Sequence, residues 1–164
     1  MVIKMIETIF DFDRLDAKDR QILRLLQENG RISNAELAEK VCLSPSACLR
    51  RVQLLEQAGV IERYVALLNP APVRRGLTVF IEISLERQTD VALDAFEQAV
   101  RACPEVMQCS LMAGDTDYLL EVSVADSNDY ERLHRQVLAR LPGAARLRTR
   151  FTIRGICKRT AFPV

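Results

Sequence analysis

Two different rhythms of apolar and polar residues divide the chain. From Leu15 to Gly59 apolar residues recur at helical spacing, three and four apart. In LDAKDRQILRLLQENG the stripe is Ile22, Leu23 and Leu26, with Leu15 and Leu25 at its margins. Asp16 stands at the N-cap position and Gly30 marks the stop. In SNAELAEKV, Ser33 and Glu36 have the spacing of a capping box, and Leu37 and Val41 share one face. A short link, Cys42–Leu43, leads to a third helix with Ser44 as N-cap and Pro45 at the first helical position, where a missing N–H does no harm. Along it Cys48, Val52 and Leu55 fall at i, i+4 and i+7 and point inward. Ser46, Arg50, Gln53 and Gln57 lie on the opposite side, with Ala47, Arg51 and Leu54 along a flank.

VIERYVALLNP is rich in β-formers, which predicts a short hairpin or wing, and Asn69, Pro70 and Pro72 then break the chain. Beyond that break the rhythm becomes alternation. In LTVFIEISLER, Val79, Ile81, Ile83 and Leu85 fall on one face, the signature of a strand with one side buried. VALDAFEQAVRAC returns to helical spacing through Leu93, Phe96 and Val100. VMQCSLM and DYLLEVSV read as two strands around the turn AGDT, NDYERLHRQVLARL as a helix stopped by Pro142 and Gly143, and RLRTRFTIRGI as a last strand. The order βαββαβ predicts a ferredoxin-like α+β sandwich behind an N-terminal winged helix-turn-helix. The expected domains are an arm at 1–14, a winged helical domain at 15–64, a linker with a connecting strand at 65–76, and an α+β domain at 77–164.

Length and composition narrow this picture. A chain of 164 residues, 49% hydrophobic, holds one ordinary domain or two small ones. A formal net charge of +1 excludes a protein that grips nucleic acid by bulk charge, so any such contact must come from a local patch. The five cysteines form no CxxC pair and His134 is the single histidine, so reduced structural thiols in a cytoplasmic protein are expected, with no metal site and no cofactor. MVIKMIETIF is apolar but too short to span a bilayer and lacks a small-residue cleavage site; it reads as a frayed or subunit-packing arm. No later apolar run reaches membrane length.

Three short helices with a tight link before a capped third helix are what a helix-turn-helix requires, because that helix must project into the major groove. Its N-terminus, with Ser44 and Ser46, suits a phosphate, while Arg50, Arg51 and Gln53 have the reach for phosphates or base edges. On periodicity alone, a helical bundle with an ordinary solvated face reads equally well. The residue string RISNAELAEKVCLSPSACLRRVQLLEQAGVIERYVALLNP, together with GDTDYLL further on, resembles the Lrp/AsnC family of feast/famine regulators from about Leu15 to the C-terminus. The resemblance implies a winged helix-turn-helix joined to a βαββαβ effector domain, with Ser44, Ser46, Ala47, Arg50, Arg51 and Gln53 at the DNA. It implies binding to a pseudo-palindromic double-stranded site by a homodimer or a higher oligomer of dimers, under control of a small effector such as an amino acid.

The turn AGDTDY sets Asp115 and Asp117 beside Gly114, residues that also serve any tight turn. By the resemblance, N–H groups near Gly114 hold an effector carboxylate, and Asp115 or Asp117 pairs with its ammonium group. Leu111 and Tyr118 flank the turn, and Thr149 and Thr152 form the other wall, although Leu147 replaces a threonine frequent in the family. Arg146, Arg148, Arg150 and Arg154 form a stripe at period two that the resemblance does not explain. Cross-strand pairing with Glu82, Glu86 or Glu121, an anionic effector and extra DNA contact are its three readings. The rival from another class is a haem-precursor (sirohaem-type) decarboxylase, which shares the two-domain architecture but needs convergent histidines or arginines, whereas His134 sits alone in a helix pattern. A third reading is an effector-binding protein that has lost its DNA contacts, against which the intact cap and basic residues of the third helix count.

Overall fold

The computed structural model describes residues 15–164. The expected arm at 1–14 lies outside the described residues. The chain forms two compact units: one is built from the segment up to Leu67 together with Cys157–Val164, the other from Leu68–Ile156. The last segment, Cys157–Val164, packs with the first unit. Gln27 on the first helix donates to Phe162 O and accepts from Phe162 N–H, and Arg24 donates to Val164 O. Val164 packs against the apolar core of the first unit.

That unit holds helices α1 (Ala17–Glu28), α2 (Asn34–Lys40) and α3 (Pro45–Gln57). α1 begins where the cap signal places it: the Asp16 carboxylate accepts from Lys18 and Asp19 N–H, and Asp19 returns a bond to Asp16 N–H, a complete capping box. It ends at Glu28 with Asn29 as C-cap, so Gly30 lies just past the stop. At α2 only half of the expected box forms. Ser33 Oγ accepts from Glu36 N–H, while the Glu36 carboxylate turns along the helix to Lys40, 3.4 Å away. Leu15, Ile22, Leu23, Leu37, Ala38, Val41, Cys48 and Leu55 form the core, with every predicted stripe contributing to it.

The link between α2 and α3 is a Schellman closure. Cys42 N–H bonds to Glu39 O and Leu43 N–H to Ala38 O, with Cys42 in the left-handed region at φ 54°. Asn34 Nδ2 donates to Pro45 O at 2.9 Å, joining the starts of the two helices. The hairpin expected after Gly59 is not formed, because residues 62–69 take no strand. Val65, Leu67 and Leu68 there are exposed, and a two-stranded ribbon with no apolar cover is marginal in water. Tyr64 anchors the segment: its ring lies against Gly30 and its hydroxyl donates to Glu56 at 3.1 Å.

The second unit is a four-stranded antiparallel sheet, β1 (Leu77–Leu85), β2 (Val106–Leu111), β3 (Tyr118–Val124) and β4 (Ala144–Phe151), in the order β2-β3-β1-β4. Helices α4 (Asp90–Arg101) and α5 (Ser127–Gln136) cover one face. Alternation in β1 and β3 buries Val79, Ile81, Ile83, Leu120, Val122 and Val124 against Phe96, Val100 and Leu133. β4 stops at Phe151, so Arg154 falls outside the strand, and the expected four-arginine stripe is three residues long.

Candidate nucleic-acid interface and effector turn

α3 leaves one face to solvent while the opposite face is used up in the core: Cys48 and Leu55 are enclosed and Val52 is half-buried. Ser44 Oγ accepts from Ala47 N–H at 3.3 Å and lies 3.2 Å from Ser46 Oγ. Two hydroxyls therefore flank the first turn, where unpaired N–H groups and the helix dipole favour an anion. Ser46, Arg50 and Gln53 are exposed and Ala47 is half-buried. Neither Arg50 nor Gln53 has an ion-pair or hydrogen-bond partner among the described residues.

Arg51 stands apart from this group. Its Nη1 lies 2.7 Å from Asp16 Oδ2 and 2.8 Å from Asp19 Oδ1, so the guanidinium is turned back on the cap of α1. The Asp19 backbone N–H, against the opposing pull of burial, and then the Arg51 guanidinium hold the Asp16 carboxyl below its ordinary range. Hydrogen bonds to Asp19 and Asp16 raise Arg51 in turn. Spacing along a helix cannot distinguish a guanidinium aimed at solvent from one aimed at a neighbouring helix.

In the second unit the seven expected effector residues divide among different places. Gly114 has φ 135°, a conformation that side-chain-bearing residues rarely adopt. Asp117 holds the turn: one carboxylate oxygen accepts from Leu85 N–H at 2.7 Å and the other from Gln88 Nε2 at 2.6 Å. Asp115, exposed, borders a pocket of about 260 Å³ with Thr116, Glu82, Ser84, Arg146 and Arg148, charged groups of both signs on the face of the sheet away from the helices. Leu111 and Tyr118 belong to a separate cleft of about 320 Å³ between α4 and β2. Tyr118 is buried, donates to Glu97 Oε1 at 3.1 Å, and has its phenol pushed up, first by burial and then by Glu97.

Thr149 pairs with Ile81 in the β1–β4 register and bonds to the Tyr130 hydroxyl, so it faces the helices. Thr152 N–H bonds to Thr78 O at the start of β1, whereas the turn lies against its end at Ile83 and Leu85. Thr152 Oγ1 is buried with no hydrogen-bond partner among the described residues. Within one protomer, then, Asp115 and the two threonines do not line a common cavity. Cross-strand pairing accounts for one arginine of the stripe: Arg150 Nε lies 2.7 Å from Glu82 Oε1, and this contact lowers the Glu82 carboxyl. Gln88 and Glu97, which fix Asp117 and Tyr118, carried no sequence signal because each acts from an adjoining element. No group of three or more His, Cys, Asp or Glu gathers around a metal-sized site among the described residues.

Residues 15–62 match the model of a winged helix-turn-helix DNA-binding domain, and residues 78–162 match that of the Lrp/AsnC ligand-binding domain. The chain belongs to the Lrp/AsnC family. This Lrp/AsnC regulator is 47% identical over 135 residues to the leucine-responsive regulatory protein of Escherichia coli, covering 82% of each chain. It is 50% identical over 117 residues, 71% of this chain and 92% of the other, to an uncharacterised helix-turn-helix-type transcriptional regulator of Sinorhizobium fredii. Among solved structures, a Neisseria meningitidis transcriptional regulator crystallised as an L-Met complex superimposes with a TM-score of 0.86 at 42% identity, covering 91% of this chain and 96% of that one. The chain is a transcriptional regulator with one DNA-binding and one ligand-binding domain. No helix among the described residues is long and apolar enough to cross a membrane.

Proposed function

We propose that this Lrp/AsnC regulator reads a pseudo-palindromic double-stranded DNA site as a homodimer, or an oligomer of dimers, and that an amino acid bound near the Gly114–Tyr118 turn shifts its assembly or DNA affinity. The observation that carries the reading is α3: a capped N-terminus with Ser44 and Ser46, followed by exposed Arg50 and Gln53, on a helix whose other face is core. Two such helices related by a two-fold axis read half-sites one helical turn apart. Ser44, Ser46, Ala47, Arg50 and Gln53 form the contact set, and Arg51 supports it from behind.

At the effector turn, Asp115 is the better partner for an ammonium group, because both Asp117 oxygens already accept hydrogen bonds. The neighbouring arginines supply the opposite sign for a carboxylate, so the pocket suits a zwitterion. The separation of Thr149 and Thr152 from Asp115 supports a site completed by a second copy. The ligand acts only through unequal affinity for two arrangements of the assembly. This regulator carries no catalytic step in our reading: His134 is half-buried with its ring centroid 6.0 Å from that of Tyr130. It works in the cytoplasm, in keeping with five unpaired cysteines.

Mobility-shift titration of DNA from upstream of the protein's own gene, with wild type and Arg50→Ala, tests the reader. Loss of about tenfold or more in the variant is expected for one arginine contact to a base. Equal affinity would remove α3 as the reading element. A thermal-shift panel of amino acids tests the sensor, since a ligand of the native state raises the melting temperature. No shift with any of them would overturn the effector class.

A further inference from the structure

The pocket beside Asp115 holds more positive charge than a neutral amino acid answers. Its lining is Glu82, Ser84, Asp115, Thr116, Arg146 and Arg148, around about 260 Å³. In the β1–β4 register Arg146 stands opposite Ser84, and Arg148 stands opposite Glu82. Glu82 nevertheless reaches diagonally to Arg150, 2.7 Å away, and not across to Arg148. The side chains of Arg146 and Arg148 then have no ion-pair or hydrogen-bond partner among the described residues. The excess does not depend on which arginine Glu82 takes. Three guanidinium groups, those of Arg146, Arg148 and Arg150, share this face with two carboxylates, those of Glu82 and Asp115. Glu121, the next carboxylate on the same side of the sheet, stands opposite Phe80 on β3 and does not line the pocket.

Every amino acid offers a carboxylate and an ammonium group. These satisfy one arginine and Asp115, and leave the second guanidinium beside the bound ligand with no counter-charge. A polar group covered without a partner costs affinity, so the site favours a ligand that brings one. Arg146 and Arg148 lie two residues apart on one face of β4, about 7 Å along the strand. The two carboxyl carbons of a short acidic amino acid are about 4–5 Å apart at ordinary bond lengths, within reach of both long side chains. We propose that the effector is an acidic amino acid, glutamate or aspartate. Asp115 takes its ammonium group, one of Arg146 and Arg148 its α-carboxylate, and the other its side-chain carboxylate. The net charges complement each other, one positive in excess on the site and one negative on the ligand. The assignment rests on the effector turn proposed above.

Isothermal titration of the full-length protein tests the class, with the sodium salts of glutamate and aspartate and with glutamine, asparagine, leucine and methionine, at one pH and matched ionic strength. Glutamate or aspartate is expected to bind tighter than its amide by about tenfold or more, the loss for one charge-assisted contact. Arg146→Gln and Arg148→Gln locate the second carboxylate. One of them should level acid and amide while the affinity for the amide stays within about threefold of wild type, a pattern that general damage to the site does not produce. Glutarate, which has both carboxylates and no ammonium group, should bind weaker than glutamate. An amide that binds as tightly as its acid overturns the proposal. So does an acid preference that survives in both variants, or glutarate that binds as well as glutamate. Tighter binding of leucine or methionine overturns the acidic class and leaves the amino-acid reading standing. Binding of none of these ligands overturns the proposal too, and the amino-acid reading falls with it only if the wider thermal-shift panel is also silent.

Discussion

Replacing Arg51 by alanine separates two roles that the sequence assigns alike to neighbouring arginines. In the structure the Arg51 guanidinium bridges Asp16 and Asp19 at 2.7 and 2.8 Å, and Asp19 is the more shielded partner, 16% exposed against 49%. Exposed single pairs are worth less than about 1 kcal/mol, whereas hydrogen bonds to charged groups in a shielded network are worth somewhat more, so a loss of about 1–2 kcal/mol is expected. For a unit of this size that corresponds to a melting temperature lower by roughly 5–10 °C.

The acid limb gives a second reading of the same contact. Asp16 titrates below its ordinary 3.8, held there first by the Asp19 N–H, so its contribution is complete above 3.8 and is lost as pH falls through the depressed value. The gap between wild type and Arg51→Ala should therefore be constant near neutral pH and narrow in acid. Thermal melts across pH, with half-site binding measured at a temperature where both proteins are folded, check this. DNA affinity within about threefold of wild type is expected. An Arg51→Ala protein that melts like wild type yet loses DNA as Arg50→Ala does would refute the structural role.

Three further outcomes follow from the same geometry. Cys42→Gly removes a left-handed residue bearing a side chain at the α2–α3 link, and thermal melting should show a gain of about 0.5–1 kcal/mol; a loss would mean that the thiol packs more than its exposure suggests. Asp117→Ala leaves Leu85 N–H without its acceptor, so the second unit should lose about 1–3 kcal/mol in urea unfolding. The same change should blunt the amino-acid response through the displaced turn, and a full response with normal stability would count against this account. Arg150→Ala breaks the pairing with Glu82, and analytical ultracentrifugation should show weaker assembly with little change at a single operator half-site; unaltered sedimentation would confine the pair to a role within one protomer.

The elements that sequence reading located best are those with a local cause. Asp16, Ser44 and Pro45 fix helix starts through bonds spanning only a few residues, and the alternation of Val79, Ile81, Ile83 and Leu85 appears unchanged as the buried face of β1. What it left unread has a different cause. The direction of Arg51 depends on where α1 lies, the freedom of Asp117 on Leu85 and Gln88, and the face of Thr149 on its register with Ile81. The apolar run after Gly59 had the composition of a ribbon but no surface to cover it. Cys42 was legible as a link, but its left-handed backbone was hidden by the absence of glycine.

Asp117 also bears on how a signal starts. Its carboxylate fastens the Gly114–Asp117 turn to the end of β1 and to Gln88, so the turn is set when the unit folds. On the proposed reading, a ligand seated there meets a turn already held by these bonds and loses little affinity to ordering it. Such a receptor has little internal rearrangement to offer in return. On that proposal, the energy that separates two functional states arises where the turn meets a second copy of the chain, a gauge of neighbours rather than a closing lid.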